Sequence, residues 1–173
     1  MIDVELNEFI RDVPDFPIEG VLYKDITPLL KNSAALSLAL EYLIAKVSDT
    51  KSDLIAAPES RGFIFGVPMA DRLKLPFVPI RKPGKLPYDT TSFEYELEYG
   101  TDTVEMHVDA VRKGDRVLVV DDLLATGGTV DACCKLIQNA GAMVAGCVFL
   151  IELEFLEGRS LLGDIPVESI IQY

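Results

Sequence analysis

Short apolar runs and amphipathic segments alternate along this chain, and the alternation predicts an α/β protein. Apolar residues recur at helical spacing between Ser33 and about Val47, which predicts a helix capped by the Ser33 side chain. Short apolar runs predict buried strands at residues 53–57, 77–80, 116–120 and 143–151, and helical patterns follow at 63–73 and 130–140. Because strands and helices alternate along the chain, the predicted architecture is a mostly parallel, doubly wound sheet.

Two regions depart from this alternation. Near the start, residues 4–10 suggest a short helix, and the Pro- and Gly-containing stretch 14–20 suggests a loop. Residues 84–100 are polar, aromatic and weakly periodic, which is typical of an excursion from the core. The segment that follows alternates like an exposed strand. It carries His107, which we interpret as a sheet residue rather than a catalyst.

Composition limits the classes of function. The chain has 173 residues, of which 49% are hydrophobic, and this suits one domain over residues 1–173. No apolar run reaches the roughly 18 to 20 residues of a membrane span, and the acidic start lacks the layout of a signal peptide. We therefore expect a cytoplasmic protein without a membrane partner. The net charge of −12 argues against a nucleic-acid partner, because such binding depends on neutralising phosphates.

The three cysteines, Cys133, Cys134 and Cys147, contain no C-x-x-C spacing. Two of them are adjacent in a predicted helix, and the pattern is typical of buried, reduced thiols. A zinc site is disfavoured because the chain has one histidine.

The most specific feature is a Gly-rich turn between the strand at 116–120 and the next helix. It has the sequence DDLLATGGT over residues 121–129. Backbone amides in such a turn converge on one point, and the helix N-terminus adds partial positive charge, so a phosphate is favoured there. The two acids repel phosphate and instead suit sugar hydroxyls, hydrated magnesium or a positive charge that develops on a sugar. Acids and glycines are also common in ordinary strand–helix turns, so the interpretation depends on the whole string.

Two further segments carry groups that suit a polyphosphate. The turn at 59–62 follows a predicted strand, where Gly62 lets backbone amides approach a ligand and Arg61 supplies a cation. An acidic protein needs local basic residues to hold a polyphosphate. The densest cluster of them is Arg81, Lys82 and Lys85, in which the first and last are the stronger candidates. Taken alone, the two segments also fit an ordinary surface turn and a solvated loop.

The string at 119–129 resembles the phosphoribosyl pyrophosphate signature of the type I phosphoribosyltransferases, which consists of an apolar strand, paired acids and a small-Thr-Gly-Gly-Thr loop. It is neither a Walker loop nor a G-x-G-x-x-G dinucleotide turn. The resemblance implies that Asp121 and Asp122 face the ribose hydroxyls. It implies that the 5-phosphate is held by Ala125, Thr126, Gly127, Gly128 and Thr129. It also implies that Mg²⁺ is held mainly through phosphoribosyl pyrophosphate and water, with no dedicated protein ligand.

Other motifs resemble those of the adenine-using members of the same family. They occur in the family's order at 59–66, 81–87, 97–100 and 117–129. The resemblance implies an unusual backbone near Ser60. It implies pyrophosphate contacts from Glu59, Ser60, Arg61, Arg81, Lys82 and Lys85.

The same resemblance implies a small N-terminal hood at 1–32 and a mobile flap at 84–100. The flap closes over the site, and its catalytic residue is Glu98, which manages the proton of the purine imidazole ring. Two tyrosines, Tyr95 and Tyr99, belong to this flap. The hood covers the base through Leu22, Tyr23 and Lys24, of which the aromatic residue stacks on adenine.

The activity implied by the resemblance is transfer of the 5-phosphoribosyl group to adenine, which gives AMP and pyrophosphate in purine salvage. The family also implies a homodimer. One alternative is the same transfer to xanthine, hypoxanthine or guanine, whose 6-oxo group usually invites a positively charged partner. Another is a non-catalytic regulator that binds phosphoribosyl pyrophosphate. Such regulators usually add a DNA-binding segment, for which this chain has neither the extra length nor the basic surface.

Overall fold

The computed structural model describes residues 5–96 and 101–173, and the chain divides into two compact units at Tyr42 and Leu43. The sequence predicts one domain whose hood ends at residue 32. The boundary between the units lies later, inside a helix that spans Ser33–Lys46.

The first unit contains a small antiparallel hairpin. Its strands are β1 (Arg11–Pro14) and β2 (Leu22–Asp25), which enclose most of the predicted loop. The hairpin is preceded by a 3-10 helix and followed by two α-helices, at Leu6–Phe9, Thr27–Lys31 (α1) and Ser33–Lys46 (α2). The predicted helices at 4–10 and from Ser33 are thus confirmed.

The cap of α2 is Asn32 rather than Ser33. Its Oδ1 accepts hydrogen bonds from the amides of Ala34 at 3.1 Å and Ala35 at 3.0 Å. The predicted Ser33 cap is wrong by one residue, because it is the Asn32 side chain that reaches the unpaired amides of the first turn.

The second unit, from Leu43 onward, is built on a five-stranded parallel sheet. Its elements in chain order are β3 (Leu54–Pro58), α3 (Arg61–Leu73), β4 (Phe77–Ile80), β5 (Thr90–Glu96), β6 (Thr101–His107), β7 (Arg116–Leu124), α4 (Gly128–Asn139), β8 (Met143–Glu152), 3-10 helices at Glu154–Leu156 and Gly158–Leu162, and β9 (Val167–Gln172). The sheet order is β4-β3-β7-β8-β9, with all four pairings parallel. A separate antiparallel hairpin is formed by β5 and β6.

Burial on both faces explains the apolar runs of the central strands. All five residues of β3 are buried, and residues 117–120 of β7 are at most 1% exposed. Strands of a parallel sheet are covered on both faces, so they carry continuous rather than alternating apolar residues. The predicted α/β fold with a mostly parallel sheet is confirmed.

Strand β7 extends past the predicted end at residue 120. Leu123 pairs with Ile151 and Leu124 pairs with Glu152 of β8. Sheet pairing therefore continues through Asp121 and Asp122, and these two acids lie within a strand rather than in the turn after it.

Strand β6 is not the exposed strand that its alternation suggested. Val104 and Met106 are 2% and 1% exposed, and they belong to the main hydrophobic core. The alternation reflects one buried face, which packs near α4. The interpretation of His107 as a sheet residue is confirmed, since it ends β6 with its ring edge-to-face to Tyr88 at 5.9 Å.

No element is predicted after residue 151, yet β9 and the two 3-10 helices follow there. The expected buried, reduced thiols are confirmed, since all three cysteines are free and buried. Within residues 5–96 and 101–173, no helix is both long and apolar enough to cross a bilayer.

Candidate active site

Two neighbouring parallel strands deliver the predicted motifs to one place. β3 and β7 pair side by side, so their carboxyl ends meet at the same edge of the sheet. A cavity of about 280 Å³ opens there, lined by residues 59–61 and 121–130. The structure thus brings the predicted pyrophosphate turn and the predicted phosphoribosyl loop together.

Both turns lead directly into helices whose N-termini lie at the cavity. α3 begins at Arg61, and α4 begins at Gly128. Within the described part of the chain, no acceptor is found for the backbone amides of residues 125–129. Unpaired amides together with the helix dipole favour an anion at this point.

The backbone has special geometry at each turn. The Glu59–Ser60 peptide bond is cis, which confirms the unusual backbone expected near Ser60. Gly127 has a φ of +86°, a left-handed conformation that glycine adopts without strain.

Gly62 makes room for β7 rather than for a ligand. A Cβ at this position would lie 3.0 Å from Asp121 Oδ1 and 3.0 Å from the Val120 carbonyl. The lack of a side chain lets the first turn of α3 lie against β7. This contact fixes the distance between the two motifs.

The two acids of β7 have different environments. Asp122 is 4% exposed and forms an ion pair with Arg61, which lies across the cavity on α3. Burial raises the pKa of Asp121 well above its ordinary value, and the adjacent charge of Asp122 raises it further. The ionised form of Asp121 is thus disfavoured as the site stands, and a cation placed beside the two acids would favour it by lowering this pKa.

Glu59 organises the basic cluster. Its carboxylate accepts hydrogen bonds from Arg81 at 3.0 Å, from Lys85 at 3.1 Å and from the amide of Lys82 at 2.6 Å. Burial alone would raise the pKa of Glu59, but these hydrogen bonds outweigh it and lower the pKa. The Nε atom of Arg81 is buried and has no hydrogen-bond partner among the described residues, so this guanidinium retains a donor.

The Lys82 side chain points to a different set of partners. Its ammonium pairs with Asp102 on β6 and lies 3.2 Å from the Tyr95 hydroxyl on β5. The hydroxyl also lies 3.1 Å from Asp102 and 3.4 Å from Oγ1 of Thr129. These contacts connect the hairpin β5–β6 to the first turn of α4. Sequence reasoning placed Lys82 at pyrophosphate and missed Asp102, because no local pattern marks a side chain whose partners lie on other strands.

The predicted adenine residues lie in the first unit, on β2. Leu22 is exposed. The Tyr23 ring packs edge-to-face on Phe16 at 5.0 Å. Lys24 is buried and pairs with Asp12 at 2.7 Å. The predicted catalytic Glu98 and the flap residue Tyr99 lie outside the described residues.

Comparison with known proteins gives one consistent family. Residues 28–161 match the family model of the phosphoribosyl transferase domain. An adenine phosphoribosyltransferase of Pseudothermotoga lettingae is 52% identical over 170 residues, which cover 98% of this chain and 100% of the relative.

Solved structures agree with that match. The crystal structure of adenine phosphoribosyltransferase from Thermoanaerobacter pseudethanolicus has a TM-score of 0.95 and 53% identity, and the match covers 98% of this chain and 100% of that one. The enzyme from Saccharomyces cerevisiae, solved with an imino-altritol bisphosphate and adenine, has a TM-score of 0.87 and 38% identity over 94% of each chain.

Proposed function

This chain belongs to the phosphoribosyltransferase family, and we propose that it transfers the 5-phosphoribosyl group of phosphoribosyl pyrophosphate to adenine, giving AMP and pyrophosphate. The observation that carries the proposal is the cavity at the ends of β3 and β7. It combines the unpaired amides of a Gly-rich turn with two acids and an arginine. Relatives named adenine phosphoribosyltransferase at 52% and 53% identity over nearly the whole chain support adenine as the acceptor.

The donor is bound by complementary charges along the cavity. The 5-phosphate binds the amides of residues 125–129, with the hydroxyls of Thr126 and Thr129 as further donors. The ribose hydroxyls bind Asp121 and Asp122 at the end of β7. The pyrophosphate extends toward the turn at 59–61 and the basic cluster.

The basic cluster suits a leaving pyrophosphate. Arg81 and Lys85 already lie within hydrogen-bonding distance of Glu59, which holds them beside the turn that lines the cavity. Arginine can bind two oxygens at once, and lysine supplies a compact charge. Lys82 donates its backbone amide to the Glu59 carboxylate, while its ammonium group pairs with Asp102.

The reaction is a substitution at C1 of the ribose. The bond from C1 to the pyrophosphate oxygen breaks with its electron pair, and N9 of adenine forms the new bond to C1. Positive charge develops on the ribose between these events, and the carboxylates of Asp121 and Asp122 stabilise it. The proton on the imidazole ring of adenine must leave, and we assign Glu98 as the base that accepts it.

Magnesium fits this site as a partner of the substrate. Mg²⁺ prefers carboxylate oxygens and water, and it binds substrate phosphates rather than all-protein cages. Asp121 and Asp122 line the cavity, while no cluster of three metal-ligating side chains is found within residues 5–96 and 101–173. When bound, the ion neutralises charge on the leaving pyrophosphate. These two acids would hold it through its water shell.

Two further properties belong to the proposal. We place the enzyme in the cytoplasm, where reduced thiols such as the three buried cysteines persist. We also propose that it is a homodimer, which sedimentation at several protein concentrations tests directly.

Base selectivity tests the proposed acceptor. Pyrophosphate release is measured with adenine, hypoxanthine, guanine and xanthine, each with and without Mg²⁺. We expect kcat/KM for adenine to exceed that for the oxopurines by roughly 100-fold or more. A greater value for any oxopurine would overturn adenine as the substrate, and no release with any base would overturn the transfer itself.

The role of Glu98 is tested by Glu98→Gln. Loss of the base lowers kcat by roughly 100- to 10,000-fold, while binding of phosphoribosyl pyrophosphate to the free enzyme is retained. Glu94→Gln is the matched control, since Glu94 is an exposed acid on β5. Equal turnover of the two variants would remove Glu98 from the mechanism.

A further inference from the structure

Two glycine backbones from distant parts of the chain lie against each other behind the phosphate-binding turn. A Cβ on Gly127 would lie 2.5 Å from the carbonyl oxygen of Gly158. A Cβ on Gly158 would overlap the carbonyl oxygen of Ala125 and lie 2.9 Å from the amide nitrogen of Gly127. Contacts this short are incompatible with any side chain at either position.

The two glycines differ in why they are needed. Gly127 has a left-handed φ of +86°, so both its conformation and its surroundings favour glycine. Gly158 is not among the glycines of positive φ, so its backbone could carry an alanine. Glycine is needed at position 158 only because the neighbouring backbone leaves no room for a side chain. The group that an added methyl would displace is the phosphate-binding turn.

An ion pair with a buried carboxylate, Glu152, anchors the residue that follows Gly158. Arg159 donates from Nε and an Nη atom to both carboxylate oxygens of Glu152, at 2.9 and 2.6 Å. Its other Nη donates to the carbonyl of Val167 on β9 at 2.6 Å. Glu152, at the end of β8, is 4% exposed and also accepts the Ser169 hydroxyl at 2.7 Å. The fork geometry of this contact fixes the guanidinium in both position and orientation.

The Arg159–Glu152 ion pair therefore connects β8 and β9 to Gly158, which packs against the 125–129 turn. Glu152 lies beside Leu124 in the sheet, and Leu124 is the last residue of β7 before the turn. The ion pair of Glu152 is therefore next to the point where the turn begins. The turn is thus held between the end of β7 and the backbone of Gly158.

We propose that Gly158, held by the Arg159–Glu152 ion pair, is a positioning residue that sets the curvature of the 125–129 turn so that its amides converge on the 5-phosphate. The inference rests on the proposed function, because it assigns this segment to the same donor site. Gly158 does not touch substrate. It acts through the turn, whose amides bind an anion well only when they point to a single position.

The principal test is Gly158→Ala in the full-length enzyme. Dissociation constants for ribose 5-phosphate and KM values for both substrates are measured. The added methyl displaces the turn, and a displacement of about 1 Å raises the dissociation constant for ribose 5-phosphate roughly 10- to 100-fold. KM for adenine stays within about twofold, since the base is bound by other elements.

The matched control is Gly146→Ala. Gly146 also has an ordinary φ and a close neighbour, because its Cβ would lie 3.3 Å from the Pro166 carbonyl. It lies early in β8, opposite Leu118, away from the carboxyl end of the sheet. The free energy of unfolding is measured for both variants, because the added methyl is more crowded at Gly158 than at Gly146. A loss of phosphate affinity in the folded protein is expected for Gly158→Ala alone.

A second variant decides the matter if Gly158→Ala does not fold. Arg159→Lys keeps the charge but loses the two-pronged contact with Glu152. We expect the dissociation constant for ribose 5-phosphate to rise roughly three- to tenfold. Arg116→Lys is its control, since Arg116 also donates to a backbone carbonyl, that of Lys51 at 2.6 Å, at the opposite end of β7.

The outcomes separate the inference from the proposed function. If the unmodified enzyme binds neither ribose 5-phosphate nor phosphoribosyl pyrophosphate, the proposed function fails. If it binds them and Gly158→Ala and Arg159→Lys bind them equally well, the inference fails and the function stands. Weaker ribose 5-phosphate binding in these variants but not in the controls establishes the positioning role.

Discussion

At the scale of single residues, buried and partly buried carboxylates organise much of the site and its surroundings. Glu59, Asp122 and Glu152 each have a basic partner from another element, and Glu152 and Asp122 are both 4% exposed. Burying an unpaired charge is costly, so the loss of a partner affects both members of such a pair. The three acids therefore link stability to the geometry of the donor cavity.

The Glu152 pair predicts a pH-dependent difference in stability. The hydrogen bonds from Arg159 lower the pKa of Glu152 below its unfolded value of about 4.3. The ionised form is thus favoured by folding. The contribution of the ionised Glu152 to the free energy of unfolding is complete above the unfolded pKa, and it is lost as pH falls through the folded pKa.

We accordingly expect Glu152→Gln to reduce the free energy of unfolding by about 1–3 kcal/mol at pH 7. Urea unfolding of both proteins between pH 7 and pH 3 should show this difference shrink with acidification. Glu168→Gln is the control, because the Glu168–Lys46 pair is half-exposed and should contribute little. A difference that stays constant down to pH 3 would contradict the assignment to this ion pair.

At the scale of elements, the hairpin β5–β6 is attached to α4 by the polar contacts around Tyr95. The hydroxyl of Tyr95 lies within 3.4 Å of Lys82, Asp102 and Thr129. The ring itself is 8% exposed and belongs to the hydrophobic core. Tyr95 therefore joins the described part of the predicted flap to the first turn of α4, close to the end of β5.

Tyr95→Phe should loosen this attachment. Removal of the hydroxyl deletes hydrogen bonds worth about 0.5–1.5 kcal/mol while the ring stays packed. We expect faster hydrogen exchange at the backbone amides of β5 and β6 and unchanged exchange in β3 and β7. Tyr88→Phe is the control, since Tyr88 is 59% exposed. Equal exchange in the two variants would show that the hydroxyl does not attach the hairpin.

The elements also show which parts of the fold a sequence can predict. Local sequence patterns predicted the strands β3 and β7 and the helices α2 and α4. The strands appear as continuous apolar runs, and the helices appear as apolar residues at helical spacing. β6 was predicted to be exposed because alternation does not reveal which packing partner covers a face. The elements after residue 151 were not predicted. Two of them are short 3-10 helices, which leave little periodic signal in the sequence ahead of β9.

At the scale of the whole molecule, the site could be predicted to the extent that it is contiguous in sequence. Residues 59–61 and 121–129 come together because β3 and β7 are neighbours in a parallel sheet. Asp102, Glu152 and Gly158 were not predictable, because their roles depend on contacts between segments far apart in the chain. The backbone approach of Gly158 to Gly127 requires the completed sheet and has no counterpart in a local motif.

Binding of the donor at the 125–129 turn is tested by a crystal structure of the enzyme with phosphoribosyl pyrophosphate and Mg²⁺. We expect the 5-phosphate within about 2.7–3.2 Å of backbone amides in the 125–129 turn, with the ribose hydroxyls at Asp121 and Asp122. We expect the pyrophosphate beside Ser60 and Arg61. A donor bound outside this cavity, or bound in it with the 5-phosphate away from those amides, would overturn the proposed site.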